Sequence, residues 1–218
     1  MTPVLENLDL YVSGFFVSLR IALLAGVGAL LLGAVLAAFR VSPVPVLQRF
    51  GAAYVTVFRN SPLAIVLYFF AFGLPAAGIS AGGNYFVLGV SGLAMYTAAF
   101  VCEALRSGVN SVATGQAEAG RAIGLGFTQN LGLIVLPQAV RSVVPPVGNV
   151  LIAMTKNSAV VGALGVGGDL FSAYNRMTSA LGYAQLPSLL GMAIGFLVMT
   201  LSAGALLALL ERKLEIAR

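Results

Sequence analysis

A long apolar run near the start of the chain constrains the fold more than any other feature. Residues 14–39 read GFFVSLRIALLAGVGALLLGAVLAAF and include one charged side chain, Arg20. A helix needs about 20 apolar residues to cross the hydrocarbon core of a bilayer. The run therefore predicts a membrane-spanning helix. The composition agrees, because 9% of the residues are charged, whereas a soluble domain carries about 25%.

Further apolar segments are long enough to span a membrane. They cover residues 51–73, 85–105, 138–163 and 186–210. Together with residues 14–39 they predict about five transmembrane helices joined by short loops. We expect an all-α integral membrane protein, in which residues 1–218 form a single transmembrane domain without a sizeable soluble domain.

The basic residues predict the orientation of the spans. Five crossings place three basic segments on one side: Arg40 with Arg49, Arg106 with Arg121, and Arg212, Lys213 and Arg218. Lysine and arginine collect in cytoplasmic loops. We therefore expect the N-terminus outside and the C-terminus in the cytoplasm. This topology also accounts for the net charge of +5 without nucleic acid as a partner.

The residue types that are missing argue against an enzyme. The chain has no histidine and one cysteine, Cys102, so the usual ligands of zinc and other transition metals are scarce. It also has no GxxxxGK[ST] phosphate-binding loop. We expect no metal, no cofactor and no catalytic residue in this chain. Among membrane enzymes, Ser/Lys chemistry at residues 156–158 is formally open and ranks last.

A polar segment with several glycines interrupts the apolar spans. Residues 111–124, SVATGQAEAGRAIG, contain alanines that favour a helix, but the segment is too short and polar to cross a bilayer. Gly124 and Gly126 stand where a helix needs a left-handed residue to end. The pattern predicts a short surface helix, a sharp turn and a return to the membrane. It suits either an interfacial loop or a knob that docks into a groove of another protein.

The same segment carries a specific motif. The pattern Glu-Ala-Gly-x3-Gly-x9-Ile-x-Leu-Pro is met by Glu118, Ala119, Gly120, Gly124, Ile134, Leu136 and Pro137. It resembles the EAA loop of binding-protein-dependent ABC importer permeases. The family usually has alanine in place of Gly120, and we expect this glycine to loosen the helix slightly.

Other segments resemble the branch of that family that carries polar amino acids. FRNSPLAIVLYF and LPQAVRSVVPPVGNVLIAMTKNSAVVGALGV are similar to it, and the likeness is closest to glutamate permeases of actinobacteria. It implies a type I ABC importer permease fold in a bacterial plasma membrane, with a cytoplasmic coupling loop over about residues 107–137. Within this loop the residues implied to contact an ATPase are Ala117, Glu118, Ala119, Gly120, Arg121, Ile123 and Gly124.

The resemblance also implies a function and partners. The chain would be the permease subunit of an importer for a polar amino acid, above all L-glutamate, with glutamine, histidine or arginine as alternatives. A dimer of ATP-binding subunits would hold ATP and Mg. A second permease subunit, different or identical, would complete the pore, and an extracytoplasmic binding protein would deliver the substrate. From another class, an ATPase-independent channel or scaffold stays open.

Polar residues inside the spans are candidates for substrate binding, because lipid makes them costly unless they face a cavity or a partner. Pro145 and Pro146 are expected to bend or break span four, and non-helical backbone at membrane depth is tolerated where it lines a cavity. The candidates from spans two and four are Asn60, Ser61, Asn149, Thr155, Lys156, Asn157 and Ser158.

Two of these candidates bear on the charge of the substrate. Related permeases for cationic amino acids tend to have an acidic residue at the position that matches Asn157. A neutral Asn157 beside Lys156 therefore implies an anionic substrate. Alternatively, Lys156 extends to the outer interface and Asn157 caps a helix end.

The remaining charges near the spans are expected to pair with one another. Arg59 either reaches the cytoplasmic surface or pairs with Glu103, and Glu103 forms a local salt bridge with Arg106. Asp169 and Arg176 are expected to be a solvated pair in the linker before the last span.

Overall fold

The chain is all-α, as predicted. The computed structural model describes residues 2–79, 81–165 and 167–214, and these residues contain helices and no strand. Short π-helical turns follow α4, α8 and α10. The α-helices are α1 (Thr2–Glu6), α2 (Leu8–Val41), α3 (Pro45–Asn60), α4 (Leu63–Tyr68), α5 (Leu74–Ala76), α6 (Tyr85–Asn110), α7 (Thr114–Ala122), α8 (Phe127–Asn130), α9 (Leu136–Ala163), α10 (Leu170–Asn175) and α11 (Gln185–Lys213).

The helices account for the five predicted spans. Over the described residues, four continuous helical stretches are long and apolar enough to cross a membrane, namely α2, α6, Thr128–Ala163 and α11. The fifth span is a bent pair that joins Pro45–Asn60 to Leu63–Ala76. Several of these helices are longer than the apolar segments that predicted them, because the helix continues into the polar residues on either side of the segment.

Small residues bring α2 and α6 into close parallel contact. Gly28 of α2 lies against Ala94, and Gly33 lies one and a half turns further along against Ala98 and Val101. A Cβ atom added to Gly33 would stand 2.6 Å from the Val101 side chain. Because lipid provides no hydrophobic drive between helices, such close backbone approach is a main source of packing energy.

α9 runs antiparallel to both of these helices. Met154 of α9 lies against Gly26 near the middle of α2, whereas Val143 lies against Gly108 near the end of α6. α11 turns back again, since its start contacts α1 and α2 and its later turns contact α9 at Gly148. The bundle therefore has two ends, which we call the α7 end and the α10 end after the short helix that each carries.

The predicted grouping of the basic segments is confirmed. α2, α6 and α11 all finish at the α7 end, and α9 begins there. The basic segments that follow these helices, or lie in their last turns, consequently share this end. Arg218 lies outside the described residues.

Of the expected bend or break of span four at Pro145 and Pro146, the break is not found, and it is span two that breaks. α9 continues as one helix through both prolines, and its contacts with α6 and α11 on either side of them keep the segment helical. Span two turns by 105° between α3 and α4, where Ser61 is extended (φ −93°, ψ 137°). Ser61 precedes Pro62, and a proline disfavours helical backbone in the residue before it.

The prediction of a solvated pair between Asp169 and Arg176 is also wrong. Arg176 is exposed, but Asp169 is 1% exposed. Its carboxylate caps α10 by accepting hydrogen bonds from the N–H groups of Phe171 and Ser172, each at 3.2 Å. Gly162 of α9 lies directly against this carboxylate, so the cap joins α9 to α10.

We expect Gly162→Ala to destabilise the protein. An added Cβ atom would overlap Oδ2 of Asp169, and overpacking of this kind costs about 1–3 kcal/mol. The melting temperature of the purified protein should fall by roughly 2–10 °C. Gly204→Ala is the matched control, because nothing lies within 4 Å of a Cβ atom there. Equal melting temperatures for the two variants would contradict the described joint.

Candidate functional site

α7 ends in a sharp corner at the α7 end of the bundle. The helix spans Thr114–Ala122 and is shorter than predicted. Gly124 has φ +85° and donates its N–H to the carbonyl of Arg121 at 3.0 Å, which confirms its predicted role as a left-handed helix end. Gly126 does not adopt that conformation, because its N–H donates to Oε1 of Gln129 at 3.1 Å and begins the return helix.

α7 is packed tightly onto this return segment. Asn130 donates its Nδ2–H to the carbonyl of Ala117 at 2.6 Å. A Cβ atom added to Gly120 would stand 2.7 Å from both Oδ1 of Asn130 and Cδ1 of Ile134. The expectation that Gly120 loosens the helix stays a prediction, and the structure gives this glycine a further role, because it lets α7 approach Asn130. Sequence analysis missed Asn130, which no motif marks.

The outer surface of α7 is exposed within the part of the chain that the structure describes. Glu118, Ala119 and Arg121 are exposed, and Ile123 is 77% exposed. Among the described residues, Glu118 and Arg121 make no ion pair, although their spacing allows one. An exposed apolar side chain next to two charges on a short helix is the kind of surface that fits a groove in a partner.

A charged cluster ties three helices together near the same end. Glu103 of α6 forms ion pairs with Arg40 of α2 at 2.9 Å, with Arg59 of α3 at 3.5 Å and with Arg106 of α6 at 3.2 Å. The predicted pairs of Glu103 with Arg59 and Arg106 are confirmed. Sequence analysis missed Arg40, because an arginine at the end of a span is also typical of a cytoplasmic loop.

This cluster borders a polar pocket of about 390 Å³. We call it the arginine pocket, and its lining consists of Arg40, Val55, Thr56, Arg59, Asn60, Phe100 and Glu103. Asn60 donates Nδ2–H to the carbonyl of Thr56 at 2.8 Å. Ser61 is bonded within its own helix end, to Val57. Of the span-two candidates, Asn60 alone lines a described pocket.

A second, smaller cavity lies between α6 and α9. We call it the amide cavity after Asn157; its volume is about 160 Å³ and its lining consists of Tyr96, Thr97, Phe100, Val150, Ala153, Met154 and Asn157. Thr97 is 3% exposed, and its hydroxyl oxygen has no hydrogen-bond partner among the residues that the structure describes. A buried polar group without a partner is costly. Sequence analysis missed Thr97, although a threonine in the apolar span 85–105 could have been noted on the same grounds as Asn157.

The other span-four candidates do not line the amide cavity. Thr155 and Ser158 are buried, and their hydroxyls donate to the carbonyls of Leu151 and Thr155 in their own helix at 3.0 and 2.7 Å. Lys156 and Asn149 are exposed. The structure thus brings Asn157 together with Thr97, and it separates Lys156 from that cavity.

A comparison with family models decides what kind of protein carries these features. Residues 29–216 match the family described as binding-protein-dependent transport system inner membrane component. The chain belongs to this family. The family model covers the last part of α2 and every later span, including the α7 corner and both cavities, and it describes a membrane component of a transport system rather than an enzyme.

Individual relatives of this inner membrane component span nearly its whole length. It is 39% identical to the glutamate transport system permease protein GluC of Corynebacterium efficiens, over 94% of this chain and 93% of the relative. It is 36% identical to the probable glutamine ABC transporter permease protein GlnM of Bacillus subtilis, over 96% of this chain and 95% of the relative.

Solved structures confirm the fold of the inner membrane component. The crystal structure of an amino acid ABC transporter with histidines superimposes with a TM-score of 0.89 at 30% identity, covering 96% of each chain. An inward-facing structure of the MetNI methionine ABC transporter matches with a TM-score of 0.72 at 22% identity, over 97% of this chain and 98% of that chain. The predicted type I ABC importer permease fold is confirmed.

We expect Gly120→Ala to weaken the attachment of α7, because its methyl group would collide with Asn130 and Ile134. The substitution should lower the free energy of unfolding by about 1–3 kcal/mol. When Asn130 is also replaced by alanine, which vacates the space beside it, the same Gly120→Ala change should cost less than half as much. Thermal unfolding of the four proteins gives the coupling energy. Gly115→Ala, with nothing within 4 Å, is the control. Additive effects of the two substitutions would contradict direct contact.

Proposed function

We propose that this chain is the permease subunit of an ATP-driven importer of L-glutamate. The observation that carries the proposal is the likeness, at 39% identity over 94% of the chain, to a permease named for glutamate transport. Glutamine is the second candidate substrate. It is favoured by the neutral polar lining of the amide cavity and by the likeness to a permease named for glutamine.

In this proposal the α7 end faces the cytoplasm. The N-terminus is then outside and the C-terminus inside, in agreement with the basic residues at that end. The exposed side chains of Glu118, Arg121 and Ile123 dock into a groove of a separate ATP-binding subunit. ATP and Mg are held by a dimer of those subunits, and this chain contributes no hydrolytic residue.

The packing of α7 suggests how movement reaches the cavity. Asn130 ties α7 to the start of the helical stretch Thr128–Ala163, and this stretch also carries Asn157. When the ATPase dimer closes, a displaced α7 would move this stretch against α6. The amide cavity lies between those two helices, so its access would change with the displacement.

The other partners complete the importer. A second permease subunit, identical or different, packs beside this chain to close the pore. An extracytoplasmic amino-acid-binding protein delivers the substrate to the α10 end. There Lys156 is exposed and attracts the anionic side chain of the substrate, while Asn157 and Thr97 offer uncharged hydrogen-bonding groups deeper between the helices.

An uptake assay tests the substrate. The complete importer, reconstituted in vesicles with its ATPase and binding protein, should accumulate glutamate only when ATP is present. Asn157→Asp should lower glutamate uptake at least tenfold, because two like charges ~6 Å apart repel by about 2–3 kcal/mol at an effective dielectric constant near 20. Glutamine, which has no net side-chain charge, should lose less than threefold.

Asn175→Asp is the control, since Asn175 is exposed in α10 and lines neither cavity. ATP-dependent uptake of glutamine without glutamate would replace the first candidate by the second. Flux that continues without ATP would contradict an importer and favour a channel.

A further inference from the structure

The charge cluster at Glu103 carries more positive charge than one carboxylate neutralises. Three guanidinium groups contact it, and no other acidic side chain of the described residues contacts those guanidiniums through an ion pair. Two positive charges remain in excess. An excess of this kind at a partly enclosed site attracts anions.

Arg59 is the arginine with the most unused hydrogen-bonding capacity. Arg106 makes two hydrogen bonds to Glu103, at 3.4 and 3.2 Å, and Arg40 makes the shortest contact, at 2.9 Å. The Arg59 contact is the longest, at 3.5 Å, and its side chain is 47% exposed. A guanidinium has five N–H donors, so most of those on Arg59 are available to a ligand.

The pocket beside Arg59 offers two guanidinium groups against one carboxylate, Glu103, which also lines it. Arg40 and Arg59 both line it. Thr56, which also lines it, has a side-chain hydroxyl without a hydrogen-bond partner among the described residues. Its volume of about 390 Å³ is larger than that of the amide cavity. A planar guanidinium can bind a carboxylate through two parallel hydrogen bonds.

The arginine pocket adjoins the amide cavity across a single aromatic ring. Phe100 lines both. Its ring centroid lies 5.1 Å from that of Tyr96, which lines the amide cavity, and 5.7 Å from the guanidinium carbon of Arg59, which lines the arginine pocket. Because Phe100 is common to both linings, a rotation of its side chain would connect the two spaces.

We propose that the arginine pocket is a second carboxylate-binding site, which receives the transported amino acid after it passes Phe100 toward the α7 end. The proposal rests on the proposed function, because it requires an anionic substrate. Arg59 binds the side-chain carboxylate of the substrate, Thr56 donates a further hydrogen bond, and Glu103 holds the neighbouring arginines in place.

Direct binding tests this site. The nucleotide-free complex of permease and ATPase subunits, without binding protein and in neutral phosphatidylcholine nanodiscs, is titrated with radiolabelled glutamate and glutamine. Arg59→Gln should weaken glutamate binding about tenfold, the effect of losing a charge-assisted pair, and glutamine binding less than twofold. Arg59→Lys, which keeps the charge, should stay within threefold of the unchanged protein for glutamate.

Arg106→Gln is the matched control. Like Arg59→Gln, it removes one positive charge that pairs with Glu103. Arg106 does not line the pocket, so glutamate binding should change less than threefold. Unchanged glutamate affinity in Arg59→Gln would overturn the proposal. Equal loss for both amino acids would also overturn it, because that result indicates either binding of the α-carboxylate that both share or a purely structural role.

Two further outcomes separate this proposal from its alternatives. If phosphatidylglycerol stabilises the complex through Arg59 while glutamate binding is unaffected by Arg59→Gln, the pocket binds a lipid phosphate and the proposal fails. The proposed function is judged separately by the uptake assay. An importer that accumulates glutamate but shows no effect of Arg59→Gln on binding retains its function and loses only this second site.

Discussion

The rest of the structure depends on the ion pairs between one glutamate and three arginines. Glu103 joins the end of α2, the end of α3 and its own helix α6 through Arg40, Arg59 and Arg106. These pairs hold α3 in place where span two turns by 105°. Removing Glu103 would leave three neighbouring guanidinium groups without their shared carboxylate, so the bend and the pocket beside it depend on this residue, whereas loss of one arginine leaves Glu103 paired with the other two.

The two ends of the bundle have different roles in a transport component. At the α10 end, the Asp169 cap and its glycine contacts fix the helices to one another. At the α7 end, α7 is locked to the return segment through Asn130 and Gly120, yet its outer surface is open. A rigidly attached but exposed corner suits a part that receives force from a partner, and the stretch beginning at Thr128 extends from it directly to the amide cavity.

Sequence patterns could predict the features that depend on local composition. Hydropathy predicted five spans, and the glycine and motif spacing predicted the α7 corner with Gly124 at its end. Features set by tertiary contacts were not predictable. Prolines occur in spans two and four, and only packing decides that Pro62 marks a break while Pro145 does not. Among the described residues, the Thr97 hydroxyl has no hydrogen-bond partner, and three arginines including Arg59 surround a single glutamate. Both features likewise depend on neighbours that are distant in sequence.

The most direct measurement is the side of the membrane on which α7 lies and whether an ATPase covers it. With the buried Cys102 replaced by alanine, Glu118→Cys and the α10-end control Ser179→Cys are treated with an impermeant maleimide. The account predicts that intact cells label only the control. Inside-out vesicles should label position 118, and co-expressed ATP-binding subunit should reduce that labelling several-fold. Labelling of position 118 from outside intact cells, or no protection by the ATPase, would contradict it.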